Sequence, residues 1–76
     1  MPTPLEVAEA WHGVTKTFFI RRNKAHDTKQ WEVVEDDANT LTAVHRFHSE
    51  QEATAKAMRL NNIARGAAVL KLFETV

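Results

Sequence analysis

The spacing of apolar positions shifts from three, to two, and back to three or four along the chain, and each shift marks a change of element. Leu5, Ala8 and Trp11 recur at intervals of three behind Thr3-Pro4-Leu5-Glu6. That tetrapeptide supplies an N-cap hydroxyl, a proline at the first helical position and a glutamate three residues after the cap. It predicts a helix from Pro4 to Trp11 or His12, ended by Gly13. From Val14 to Arg22 the β-branched and aromatic residues Thr15, Thr17, Phe18, Phe19 and Ile20 predict a strand. Asn23 to Lys29 is a polar connection, and Gln30 to Glu35, with Trp31, Val33 and Val34, is the second strand of a hairpin.

Asp36 to Thr40 is rich in turn residues, and Leu41 to His48 forms a third strand. Ser49-Glu50-Gln51-Glu52 repeats the capping pattern and opens a second helix, whose inner face is Ala53, Ala57, Leu60 and Ala64 and whose stop is Gly66. Small residues on that face let the helix sit close over a sheet with large inward side chains. Ala67 to Val76 reads either as more helix or as an edge strand through Val69 to Phe73; we take it as helix. The expected fold is α+β, a two-layer α-β-β-β-α arrangement in one small domain, with a three-stranded antiparallel sheet packed against helices.

Strict alternation puts Phe18, Ile20, Trp31, Val33, Leu41, Ala43, His45 and Phe47 on the core side of the sheet. The other side then carries Thr17, Phe19, Arg21, Glu32, Val34, Thr42, Val44, Arg46 and His48. A solvated face has no need of Phe19, Val34 and Val44 at its centre, and aromatic side chains with arginine are enriched where proteins bind one another. The expected partner-binding set is therefore Phe19, Val34 and Val44, ringed by Arg21, Arg46, His48 and Glu32. The competing expectation is that Val69, Leu70, Leu72 and Phe73 fold back over this face.

Composition narrows the chemistry. The 76 residues are 43% hydrophobic and include no cysteine, so disulfides, thiolate catalysis and cysteine metal sites are excluded. A chain of this size buries only about 60% of its unfolded surface, so a partner would add useful stability. The N-terminus shows no apolar signal segment and no run is long enough to span a bilayer, which gives the expectation of a cytoplasmic protein without membrane contact. The four histidines, His12, His26, His45 and His48, lack metal-ligand spacing, and Glu35-Asp36-Asp37 lacks the pattern of a calcium loop. Ser49 is accounted for as a cap, and Gly13 and Gly66 are too isolated for a phosphate loop. No cofactor, metal or enzymatic activity is expected.

Ten basic and ten acidic side chains cancel, but in blocks. Lys16, Arg21, Arg22, Lys24 and Lys29 precede Glu32, Glu35, Asp36 and Asp37. With Arg46, the basic block makes an alternative nucleic-acid-binding set on the first hairpin. The order helix, three strands, helix resembles the double-stranded-RNA-binding domain over nearly the whole chain. That resemblance implies phosphate-gripping lysines at the start of the last helix, where residues 49–56 carry only Lys56 beside Glu50 and Glu52. Residues 14–65 alone are similar to the three-strand, one-helix DNA-reading domains of integrase arms and plant transcription factors, which implies base and phosphate contacts by Arg21, Arg46, Thr17 and Thr42.

The leading expectation is a non-catalytic protein-binding module, acting as a small regulator, inhibitor or accessory subunit. A phage or mobile-element protein that blocks a host factor fits this description. Self-association as a homodimer, through a sheet edge or the C-terminal segment, is a third reading.

Overall fold

A computed structural model describes residues 1–74. Its elements are α1 (Pro4–His12), β1 (Thr17–Arg22), β2 (Trp31–Asp37), β3 (Thr40–Phe47) and α2 (Glu50–Glu74). The strands form one antiparallel sheet in the order β1-β2-β3, so the fold is α+β with an open sheet and a long C-terminal helix packed against it. No helix of the described residues is long and apolar enough to cross a membrane.

Both predicted caps form. The Thr3 hydroxyl accepts the Glu6 N–H at 3.2 Å while the Glu6 carboxylate accepts the Thr3 N–H at 3.4 Å. The Ser49 hydroxyl accepts the Glu52 N–H at 3.2 Å. At the end of α1 the Gly13 N–H donates to the Glu9 carbonyl, and a Cβ at position 13 would lie 2.8 Å from that oxygen. Gly13 is thus required by space rather than by backbone angle. The face that α1 turns to α2 is Val7, Ala10 and Trp11, not the expected Leu5, Ala8 and Trp11: Leu5 and Ala8 are exposed, and the Arg65 guanidinium lies over the Trp11 ring at 5.7 Å.

The second helix departs from expectation in length. It continues through Gly66 to Glu74 without a break, so Gly66 is no stop and the edge-strand reading of Val69 to Phe73 does not hold. Thr75 and Val76, the last residues of that ambiguous segment, lie outside the described residues. At about 1.5 Å per residue the helix is about 37 Å long, and it dominates a molecule of 50 × 24 × 17 Å. Its first half packs on the sheet. Ala53 and Ala57 are buried with Val33, and Phe18, Ile20, Trp31, Phe47 and Leu60 close around them. The alanine face admits the close approach that the large sheet residues need.

The β2–β3 connection is tighter than expected. Asp37 pairs with Thr40, so only Ala38 and Asn39 turn, both at positive φ, 49° and 71°. Two consecutive left-handed residues give the backbone twist that matches the flanking strands.

One irregularity reorders a face. Val34 pairs with Ala43 but Val33 pairs with His45, so Val44 is an unpaired bulge residue in β3. Directly opposed residues share a face. Leu41 and Ala43 therefore lie with Phe19 and Val34 on the side away from α2, and Thr42 lies on the helix side with Phe18 and Glu35. The expected assignment of Leu41 and Ala43 to the core, and of Thr42 to the open side, is corrected by that single extra residue. His45 keeps the helix side but is exposed, because α2 crosses mainly β1 and β2.

Candidate functional site

The register stacks three rows across the side of the sheet away from α2: Thr17, Asp36 and Leu41; Phe19, Val34 and Ala43; Arg21, Glu32 and Arg46. None of the described elements covers this face, since α2 packs on the other side and α1 packs on α2. The expectation that the C-terminal segment folds back over it is thereby corrected: that segment is the continuing α2.

The apolar part of the face has a floor and a rim. Val34 on the central strand is fully buried, although no helix lies above it. Phe19 and Leu41 stand exposed at 39% and 56%, and the bulge residue Val44, which the register pairs with neither face, is exposed as well. Among the expected contact residues, Phe19 and Val44 are thus accessible and Val34 supports Phe19 from beneath. Leu41 is the accessible residue that alternation missed, because alternation had sent it to the core. His48 lies one residue past the end of β3, exposed in the turn into α2, and not on the strand as expected.

The polar row is built around one carboxylate. Glu32 is 2% exposed, and donors from three parts of the chain converge on its carboxylate. Arg21 Nε donates to Oε1 at 3.0 Å and Arg46 Nε to Oε2 at 3.4 Å. His26 Nε2 lies 3.0 Å from Oε2 and donates to it, since a carboxylate only accepts, and Asn23 Nδ2 reaches Oε1 at 3.5 Å. Burial by itself would raise the Glu32 pKa. The hydrogen bonds from Arg21 and His26, the Arg21 charge and the Asn23 bond outweigh it and hold the carboxyl at about 2, well below its ordinary 4.5.

Asn23 and His26 come from the β1–β2 connection, and a local network explains how that loop reaches over the sheet. The Asn23 N–H donates to the Gln30 carbonyl at 2.7 Å, closing the loop base. Asn23 Oδ1 accepts the Ala25 N–H at 3.0 Å, an Asx turn that sends the chain back toward Glu32. Gln30 Nε2 then donates to the His26 carbonyl at 3.0 Å. The polar composition of residues 23–29 signalled a loop; His26 as a fourth arm of the Glu32 cluster had no sequence signal.

The basic residues of the alternative set do not assemble into one stripe. Arg21 and Arg46 share the Glu32 carboxylate. Arg22 lies on the helix side, its guanidinium 5.7 Å from the Trp31 ring and its Nε bonded to Gln30. Lys16 sits at the far end of β1, 3.6 Å from Glu35 and 4.0 Å from Asp37. Lys24 and Lys29 are exposed in the connecting loop, about 20 Å away along the strand.

Sequence reasoning also missed Asn61. Its Oδ1 accepts the Phe18 N–H at 2.8 Å and its Nδ2 donates to the Phe18 carbonyl at 2.9 Å. One side chain of α2 thereby pairs with the outer edge of β1 as a further strand would. Among the described residues no group of three or more His, Asp or Glu side chains could hold a metal ion. Compared with protein-family models, with curated proteins and with solved structures, the chain matches none.

Proposed function

We propose that the protein is a non-catalytic binding module whose partner is another protein, held on the sheet face away from α2. The observation that carries this reading is an uncovered face on which Phe19 and Leu41 stand exposed around a fully buried Val34. Such side chains lose water-exposed area only when something docks on them, at about 25 cal/mol per Å² of apolar surface removed from water.

The Glu32 cluster supports a protein surface rather than phosphate as the ligand. Its carboxylate offsets one of the two arginine charges on the face and fixes both Nε atoms. The terminal amino groups of Arg21 and Arg46 are left to meet carbonyl or carboxylate oxygens of a partner, beside the apolar centre. Nucleic-acid binding through Lys16, Arg21, Arg22, Lys24, Lys29 and Arg46 would draw on charges that lie on two faces and two ends. A role as a small regulator, inhibitor or accessory subunit, in a cytoplasmic setting, follows from occupying a partner's surface without chemistry.

The test is capture from lysate of the source cells with tagged wild-type protein and a Phe19→Ala/Leu41→Glu variant, each with and without nuclease. A stoichiometric protein retained after nuclease by wild type and lost by the variant supports the reading. Retention that disappears on nuclease treatment, or that survives the variant but not Lys24→Ala/Lys29→Ala, overturns it in favour of nucleic acid.

A further inference from the structure

The back of α2 carries a second unpartnered surface. Arg59, Ile63, Gly66, Leu70 and Phe73 recur at alternating intervals of four and three, the spacing of a helix-pairing seam. Ala53, Ala57, Leu60, Asn61, Ala64 and Arg65, all buried or half-buried, lie on the opposite side, toward the sheet and α1, while Gly66 on the stripe is itself half-buried. Ile63 and Leu70 are 60% and 62% exposed, and Phe73 is exposed with them. A solvent-facing stripe with three large apolar side chains in about 15 Å of helix is not needed by the fold, whose core is complete without it.

Two features specify the occupant. At the middle of the stripe Gly66 has open space where a Cβ would be, and Ala67 follows it, so another helix can approach closely at this point. At its ends the stripe has opposite charges, Arg59 on one side and Glu74 on the other. A second copy laid antiparallel about a two-fold axis between Gly66 and Ala67 brings Ile63 opposite the partner's Leu70, and Arg59 opposite the partner's Glu74, each pairing made twice. A parallel copy would oppose like charges at both ends. We infer that the protein forms an antiparallel homodimer through the α2 face centred on Gly66, with Ile63, Leu70 and Phe73 as its apolar contacts.

The two surfaces are on opposite sides of the molecule, so this dimer leaves the sheet face clear and stands or falls separately from the proposed function. Sedimentation equilibrium of the purified chain, over roughly 1 to 500 µM, reads it directly. The expected result is a concentration-dependent dimer that Leu70→Glu weakens at least about tenfold and that Phe19→Ala/Leu41→Glu leaves unchanged. Arg59→Glu and Glu74→Arg should each weaken it, and the two together should restore it. Gly66→Gln separates association from folding, because it adds helix propensity and meets nothing within the monomer but obstructs the close approach. A monomer at every concentration overturns the inference, as does a dimer that survives Leu70→Glu and Gly66→Gln. A dimer broken by the sheet-face variant instead assigns self-association to that face. Failure of the charge swap to restore pairing overturns the antiparallel arrangement.

Discussion

Replacing Glu32 by glutamine keeps the shape of the side chain and removes the charge that four donors converge on. Hydrogen bonds to a charged group contribute about 1.5–3 kcal/mol each at full strength. Arg21 and Arg46 are about half exposed, so water screens their share, and the expected loss for Glu32→Gln is about 1–2 kcal/mol at neutral pH in urea unfolding. The pH dependence has a definite sign. With its folded pKa at about 2 and its unfolded value near 4.5, Glu32 contributes its full stabilisation above pH 4.5. That contribution declines as pH falls toward 2 and is absent below it. Unfolding midpoints measured from pH 6 to pH 2 should therefore fall less steeply for Glu32→Gln than for wild type. At Asn61, removal of the amide leaves both outer backbone groups of Phe18 without their partner. Asn61→Ala is expected to cost about 1–3 kcal/mol, read in the same urea titration, with Asn61→Asp recovering only the half of the pair that needs an acceptor.

At the scale of elements, the helix that runs through Gly66 has a glycine where, for the isolated monomer, alanine would be the better helix former. Nothing lies within 4 Å of a Cβ there, so Gly66→Ala should stabilise the fold by about 0.5–1 kcal/mol, a rise of a few degrees in the thermal midpoint by circular dichroism. Why the sequence misread this helix is instructive: an isolated glycine after an amphipathic run is a common C-cap, and only the packing of α1 along the second half of α2 says otherwise. The caps at Thr3 and Ser49, the three strands and the alanine face were legible because each is set by chemistry within a few residues. The order of α1's contact residues was not, since Leu5 and Val7 are equally apolar and the choice between them is made by α2. Nor was the Ala38-Asn39 turn, which lacks the asparagine-glycine pair that usually announces two left-handed residues.

For the molecule as a whole, the candidate site was half legible. Phe19, Arg21 and Glu32 share a face as alternation requires, because β1 and β2 pair without interruption, and Arg46 joins them because it pairs with Glu32 on the far side of the β3 bulge. Leu41 was lost because β3 carries one residue more than its partner, and no composition marks where a strand will bulge. The same residue has a bearing on solubility. Deleting Val44 would leave every rung of the β2–β3 ladder with its present partner and turn β3 into an uninterrupted, straight outer strand. β1 has Asn61 against its outer edge, whereas at β3 the bulge at Val44 interrupts the outer strand that another chain would add to. The deletion should therefore yield a protein with native-like circular dichroism that polymerises, visible as rising turbidity and thioflavin fluorescence where wild type stays clear. A residue that looks like a flaw in the ladder would then be what keeps the monomer from becoming the template for a fibre.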